Sequence, residues 1–212
     1  MEKLIALIRP SENSKTSTLW LRLEGEFIRK SLHLLIALVP LLADINLQAT
    51  MLILAGGTLF YVLAENLRQA GKTVYLVSDL TVLAARPREA GHFVLGPVTL
   101  GTGAMLALLL YPSHAATIAI YALAFGDGLA SLVGRLLGGW RLPLGGPKTV
   151  AGSLACFFAV LMVGQRMLGS LRLALPLAVG ATLIEALPSG DFDNLLLPVG
   201  TGFIASKLLV FA

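Results

Sequence analysis

The sequence predicts an all-α, polytopic membrane helical bundle, and three observations carry that expectation. The 212 residues are 56% hydrophobic and 13% charged, with a mean hydropathy of +0.82, whereas soluble domains carry about 25% charged residues. The apolar residues fall into runs close to the roughly 20 residues that cross a hydrocarbon core as a helix. The short alternating strands that a membrane barrel requires are missing from the pattern. No stretch outside the apolar runs is long enough to bury a core of its own, so one integral membrane domain is expected over 1–212.

About seven spans are expected, at 31–47, 49–67, 92–111, 115–137, 150–168, 171–187 and 195–211. The first is short and carries Asp44 near its end. Residues 74–85, VYLVSDLTVLAA, are too few to cross a core of about 30 Å and read as an interfacial or re-entrant helix. Ahead of the bundle (31–211), residues 1–30 form a cytosolic or interfacial leader. Its short apolar start is broken by Arg9-Pro10 and has no small-residue cleavage site.

The net charge of +4 is explained more simply by the positive-inside rule than by nucleic acid, since no nucleic-acid-binding motif accompanies it. With the N-terminus in the cytoplasm, thirteen of the 16 Lys and Arg residues fall inside, leaving Arg166, Arg172 and Lys207 outside. A multi-pass protein of the cell membrane with a cytoplasmic N-terminus follows. The single cysteine, Cys156, lies in an apolar run and reads as a packed hydrophobe.

That orientation brings the polar clusters of several distant segments toward the cytoplasmic face. The first is FGDG, where Asp127 stands between Gly126 and Gly128 in an apolar span. An ionisable residue is expensive to keep there, and a carboxylate suits Mg²⁺ held against a polyphosphate. The flanking glycines would let a backbone or a phosphate come close. The plain alternative is an Asp127–Arg135 pair that serves packing alone.

In GGPKTVAGS, Lys148 and Thr149 stand where a span begins, so free N–H groups and the positive end of the helix dipole face the same place as the ammonium. A phosphate suits that geometry; an orientation-setting lysine in a turn is the alternative. In EFIRKSLHLL, Glu26, Arg29, Lys30 and His33 recur at helical spacing and make one polar edge, on which Glu26 and Lys30 can pair. His33 could act there as base or phosphate donor, while Arg29 and Lys30 are also natural topology anchors. In EALPSGDFDNLLLP, Glu185, Asp191, Asp193 and Asn194 form the only acidic inner loop, which asks for a cation, although an Asp or Asn helix cap explains part of it. Glu65, beside Asn66 at the end of the second span, is a weaker candidate.

Taken in order, E-x-x-R-K-x-x-H, F-G-D-G-x-A-S-x-x-G-R-x-x-G, P-K-T-x-x-G-S and D-N-x-x-x-P resemble the polyprenol kinase family, integral membrane enzymes that include dolichol kinase, phytol kinase and the CTP-dependent diacylglycerol kinase. The resemblance runs from Glu26 to Pro198. It implies phosphorylation of a membrane lipid alcohol, such as phytol, farnesol, polyprenol or dolichol, or diacylglycerol, from CTP with Mg²⁺. Asp127, Lys148 and His33 would then be catalytic, and Asp127 and Asp193 metal ligands. Arg29, Lys30, Gly126, Gly128, Ser131, Arg135, Thr149, Gly152, Ser153 and Asn194 would line the nucleotide, with Glu26, Glu65 and Glu185 as further members. Thr149 stands where the family usually has serine after the lysine, which retains a hydroxyl. The candidate bases are His33, Glu65 and Asp127. The family is related to phosphatidate cytidylyltransferases, whose longer C-terminal signature is replaced here by DFDNLLLP. That activity is the alternative, with a small transporter built on a broken helix further off.

Overall fold

The computed structural model describes residues 15–86, 89, 91–143 and 146–211, and of 15–24 the backbone alone. Of the leader, residues 1–14, with Lys3 and Arg9, lie outside the described residues, as do Arg88 and Gly145. What is described is helical, with no strand and a single isolated bridge between Arg141 and Thr149.

Helix α1 (Lys15–Leu34) tightens into a 3₁₀ turn at Leu35–Leu38 before α2 (Val39–Gln69). Pro40 sits in the first turn of α2, where its missing N–H costs nothing. A continuous run over Gly25–Gln69 of 45 residues would be about 67 Å long, twice a bilayer core. It is not straight: Asn46 leaves the helical region (φ −157°, ψ 102°), and its Oδ1 accepts from the Ala49 N–H at 2.9 Å, capping a fresh helix start. Arg29 and Tyr61 line one cavity, so the chain turns back on itself at this break, close to where the apolar pattern separates 31–47 from 49–67.

The eight-residue α3 (Val77–Ala84) follows. At about 12 Å it cannot cross a core. Next come α4 (Gly96–Leu110), with Pro97 in its first turn, and α5 (Ser113–Tyr121), which begins after Pro112. α5 widens into a π-helical turn, Ala122–Asp127, and resumes as α6 (Gly128–Leu137). A Thr149 cap, accepting from the Gly152 N–H at 3.1 Å, opens α7 (Val150–Leu168), and Gly169 in the left-handed region (φ 65°) ends it. Then α8 (Leu171–Ala186), a 3₁₀ turn at Gly190–Phe192 and α9 (Asp193–Leu208) complete the bundle.

Four helices among the described residues are long and apolar enough to cross a membrane: Gly25–Gln69, Ser113–Leu137, Val150–Leu168 and Gly190–Phe211. The second is central, with 61% of its most apolar window buried against 22% to 28% for the others. One apolar cluster (Ile118, Ala122, Cys156, Val160, Leu177, Leu197) packs against one side of it, and another (Ile36, Val39, Ala104, Ala107, Ile120, Leu123) against the other. Small residues bring backbones close where burial of apolar surface gives no help. A Cβ at Gly152 would meet the Ala130 carbonyl at 2.6 Å. Large apolar side chains such as Leu52, Ile53, Phe158 and Met162 point outward, the surface a bilayer would cover.

Candidate functional site

The π turn of the central helix places Asp127 where α1 crosses it. Lys30 donates from Nζ to Asp127 Oδ2 at 2.5 Å, and His33 Nε2 lies 3.0 Å from the Leu123 carbonyl and 3.3 Å from the same carboxylate oxygen. Lys30 (4% exposed), His33 (5%) and Asp127 (8%) are all buried. Both neighbours of His33 Nε2 are acceptors, so that nitrogen carries the proton and Nδ1 is the bare acceptor of the neutral ring. Neither His33 Nδ1 nor Asp127 Oδ1 is among the sealed, unpartnered polar atoms, and both residues line a cavity of about 280 Å³. Among the described residues neither atom has a hydrogen-bond partner.

A second ion-pair group lies alongside. Lys148 reaches Glu185 Oε1 at 3.2 Å and Asp193 Oδ2 at 2.8 Å, and also donates to the Glu185 carbonyl. Burial would lower the Lys148 pKa, but the carboxylates of Glu185 and Asp193 outweigh it and hold the ammonium above its ordinary value. Ser153 donates to Glu185 Oε2 at 3.1 Å, and Ser189 donates to Asp193 Oδ1. Asn194 Nδ2 bonds Thr99 Oγ1 at 3.0 Å and the Gly96 carbonyl at 3.3 Å, tying the start of α9 to the start of α4.

Of the expected residues, Arg29, Lys30, His33, Asp127, Asp193 and Asn194 line the cavity. Lys148, Glu185 and Ser153 stand behind Asp193 rather than on the lining. The other expected residues lie in packing, capping or ion-pair contacts. A Cβ at Gly126 would meet Cys156 and Val160, and one at Gly128 would meet Leu34, so both glycines lie at helix-packing contacts. Ser131 donates to the Asp127 carbonyl at 2.9 Å. Thr149 caps α7 and Gly152 packs on Ala130.

The pairing also differs. Arg135 binds Glu26 Oε2 at 2.9 Å instead of Asp127, and Glu26 binds Arg29 instead of Lys30. Glu65 is engaged by Arg68 (2.7 and 2.6 Å) and the Val94 N–H (2.9 Å), which pins the chain entering α4. Arg86, on the cavity and 2.6 Å from Asp191, and Tyr61, whose hydroxyl donates to the Val94 carbonyl at 3.0 Å, were not singled out. Tyr61 lies one helical turn before Glu65, a spacing that could have suggested it.

Among the described residues, no three His, Cys, Asp or Glu side chains group to hold a metal by themselves. Mg²⁺ is commonly held through one or two carboxylates together with substrate phosphates and water. Asp127, with one oxygen free, fits that donor set. Asp193 fits it less well, because both its oxygens are engaged by Ser189 and Lys148.

Comparison with known proteins points in one direction. The chain is 26% identical over 159 residues to a probable chloroplastic phytol kinase of Zea mays, which is 65% of this chain and 52% of that protein. It is 28% identical over 141 residues to probable phytol kinase 2, chloroplastic, of Glycine max (57% and 47%). Over 99 residues it is 30% identical to a probable chloroplastic phytol kinase of Triticum aestivum (39% and 33%). The chain thus spans about half the length, or less, of these relatives. No family model matches it, and no solved structure does. The likeness supports the lipid-alcohol kinase part of the resemblance, and none of these three relatives is named as a cytidylyltransferase.

Proposed function

We propose that this protein is a CTP-dependent kinase that transfers the γ-phosphate to a membrane lipid alcohol at the cytoplasmic face of the cell membrane. One observation carries the reading: a single cavity whose lining joins Arg29, Lys30, His33, Asp127, Asp193 and Asn194 to the apolar Leu32, Leu80 and Leu100. Phosphoryl transfer asks little covalent chemistry of a protein and much positioning and charge neutralisation. The choice of CTP rests on the family resemblance, and that of a lipid alcohol on the phytol kinase relatives as well.

On this reading the Gly25–Gln69 run crosses twice and α4, the Ser113–Leu137 helix, α7, α8 and α9 once each, which makes seven crossings from a cytoplasmic N-terminus. Arg29 and Arg86 meet the phosphates from the α1 and α3 side. Lys148 restrains Asp193. Asp127, with Asp193, would hold Mg²⁺, which would neutralise charge on the phosphates. The alcohol oxygen bonds to the γ-phosphorus while the β–γ bridging bond breaks and CDP leaves with its electron pair. The alcohol proton passes to His33 Nδ1, and Asp127 Oδ2, 3.3 Å from Nε2, steadies the resulting imidazolium.

The test is label transfer in purified, lipid-reconstituted protein with Mg²⁺ and a panel of nucleotides and alcohols. Label from γ-labelled CTP should appear in a lipid phosphate, and Asp127→Asn and His33→Gln should abolish it. Transfer of α-label into lipid would establish the cytidylyltransferase activity instead.

A further inference from the structure

Val150, Leu154, Phe158 and Met162 fall at every fourth position of α7 and are all exposed, so they form one apolar stripe along the helix. The stripe is about 18 Å long and ends at Val150, whose N–H donates to the Trp140 carbonyl at 3.0 Å. Trp140 is 86% exposed. Its backbone therefore lies at the rim where the bilayer-facing stripe stops, with its indole open to the surroundings.

Helix α6 arrives at the same rim. Leu136 and Leu137 in its last turn are exposed, and Gly138 and Gly139 follow with φ of 60° and 89°. Those values come readily to glycine and strain other residues, so the glycine pair is what stops the helix and turns the chain toward α7. Beyond Trp140 the chain folds back: Arg141 bridges Thr149, and the Leu142 N–H donates to the Lys148 carbonyl at 2.9 Å. Trp140 and Arg141 thus stand on one arm of a short hairpin, and Lys148 and Thr149 on the other. The lysine bound to Asp193 and the threonine that caps α7 take their register from that pairing.

Charge points the same way. No Asp or Glu occurs from 128 to 184, so the rim carries basic residues without acidic neighbours in sequence. Arg135 is turned onto Glu26, and Lys148 onto Glu185 and Asp193, whereas Arg141 is exposed. An indole has an apolar body and one N–H that needs an acceptor, which favours the level of the headgroups over hydrocarbon or water. A cationic side chain beside it is drawn to anionic headgroups over about a Debye length.

We infer that Trp140 and Arg141 seat this hairpin in the headgroup layer of the membrane, in contact with anionic phospholipid, and that the seating steadies the arm that carries Lys148. This contact is independent of the kinase chemistry.

The test uses the full chain in nanodiscs of phosphatidylcholine, with or without phosphatidylglycerol. The sequence has two tryptophans, Trp20 and Trp140, so Trp20→Phe isolates the Trp140 fluorescence. That emission should be quenched more by lipids brominated near the headgroup end of the acyl chain than by lipids brominated near its tail, and less by aqueous acrylamide than free tryptophan is. Phosphatidylglycerol should shift it to shorter wavelength, and Arg141→Gln should remove the shift. In the unmodified protein, phosphatidylglycerol should slow hydrogen exchange at the Leu142 and Val150 amides severalfold, and Trp140→Ser should abolish the slowing. Acrylamide quenching equal to that of free tryptophan, or strongest quenching by tail-end bromines, overturns the docking. Emission and exchange that ignore phosphatidylglycerol overturn the role of anionic lipid, and the exchange measurement decides this even where Trp20→Phe fails to fold.

Discussion

Replacing Lys30 with methionine keeps most of the side chain's length and removes its charge, leaving the Asp127 carboxylate buried without its strongest partner. The pair spans 97 positions of sequence at 2.5 Å, and both side chains are nearly closed off, at 5% and 11% exposure. Breaking a buried pair from one side costs about 3–5 kcal/mol, whereas an exposed pair is worth about 0–1 kcal/mol. For a chain of this size each kcal/mol moves the melting temperature by roughly 2–4 °C, so Lys30→Met should melt about 6–20 °C lower. Adding Asp127→Asn removes the stranded charge and should recover most of that loss. The measurement is thermal unfolding of the four members of this cycle in one detergent, followed by helical circular dichroism. An unchanged melting temperature in Lys30→Met, or a double variant whose loss is the sum of the two single losses, would refute the argument that this pair joins α1 to the central helix.

Three further outcomes are expected. Gly152→Ala should destabilise the protein by roughly 1–3 kcal/mol, read as a lower melting temperature, because its Cβ would meet the Ala130 backbone carbonyl at 2.6 Å. Thr201→Val should be neutral or stabilising by about 1 kcal/mol, since the Thr201 hydroxyl is buried with no partner among the described residues; a marked loss would reveal a partner for it. Lys148 has a raised pKa, so its contribution to stability is fully present below the ordinary lysine value of 10.5 and is lost as pH rises through the higher folded value. The melting-temperature gap between the unmodified protein and Lys148→Met should therefore stay constant from neutral pH to about 10 and narrow beyond that.

The helical character and the buried carboxylate of the FGDG run were legible because each is local: apolar length sets a span, and a carboxylate within it stands out. The gathering of EFIRKSLH, FGDG and DFDN at one end of the bundle was also legible, since topology determines which helix ends meet. Partner choice was not. Helical periodicity places Glu26, Arg29, Lys30 and His33 on one edge but says nothing of the register of α1 against the central helix. That register gives Asp127 to Lys30 and Arg135 to Glu26. The packing role of Gly126 and Gly128 was not legible, because a glycine that admits a phosphate and one that admits a neighbouring helix have the same local signature. Arg86 was hidden for a related reason: a basic residue in a loop also satisfies the topology rule, and only the fold shows it on Asp191.

The π turn at Ala122–Asp127 separates two properties that usually fail together. Such a turn is an α-helix holding one extra residue, so the helices on either side keep the faces they would have without it. Deleting one residue inside the turn would leave α5 and α6 presenting Ile118 and Ala130 to their present neighbours. It would also redirect the side chains inside the turn relative to one another, since each residue of an α-helix advances about 100°. The packing of Asp127 against α1 thus depends on how many residues the turn contains.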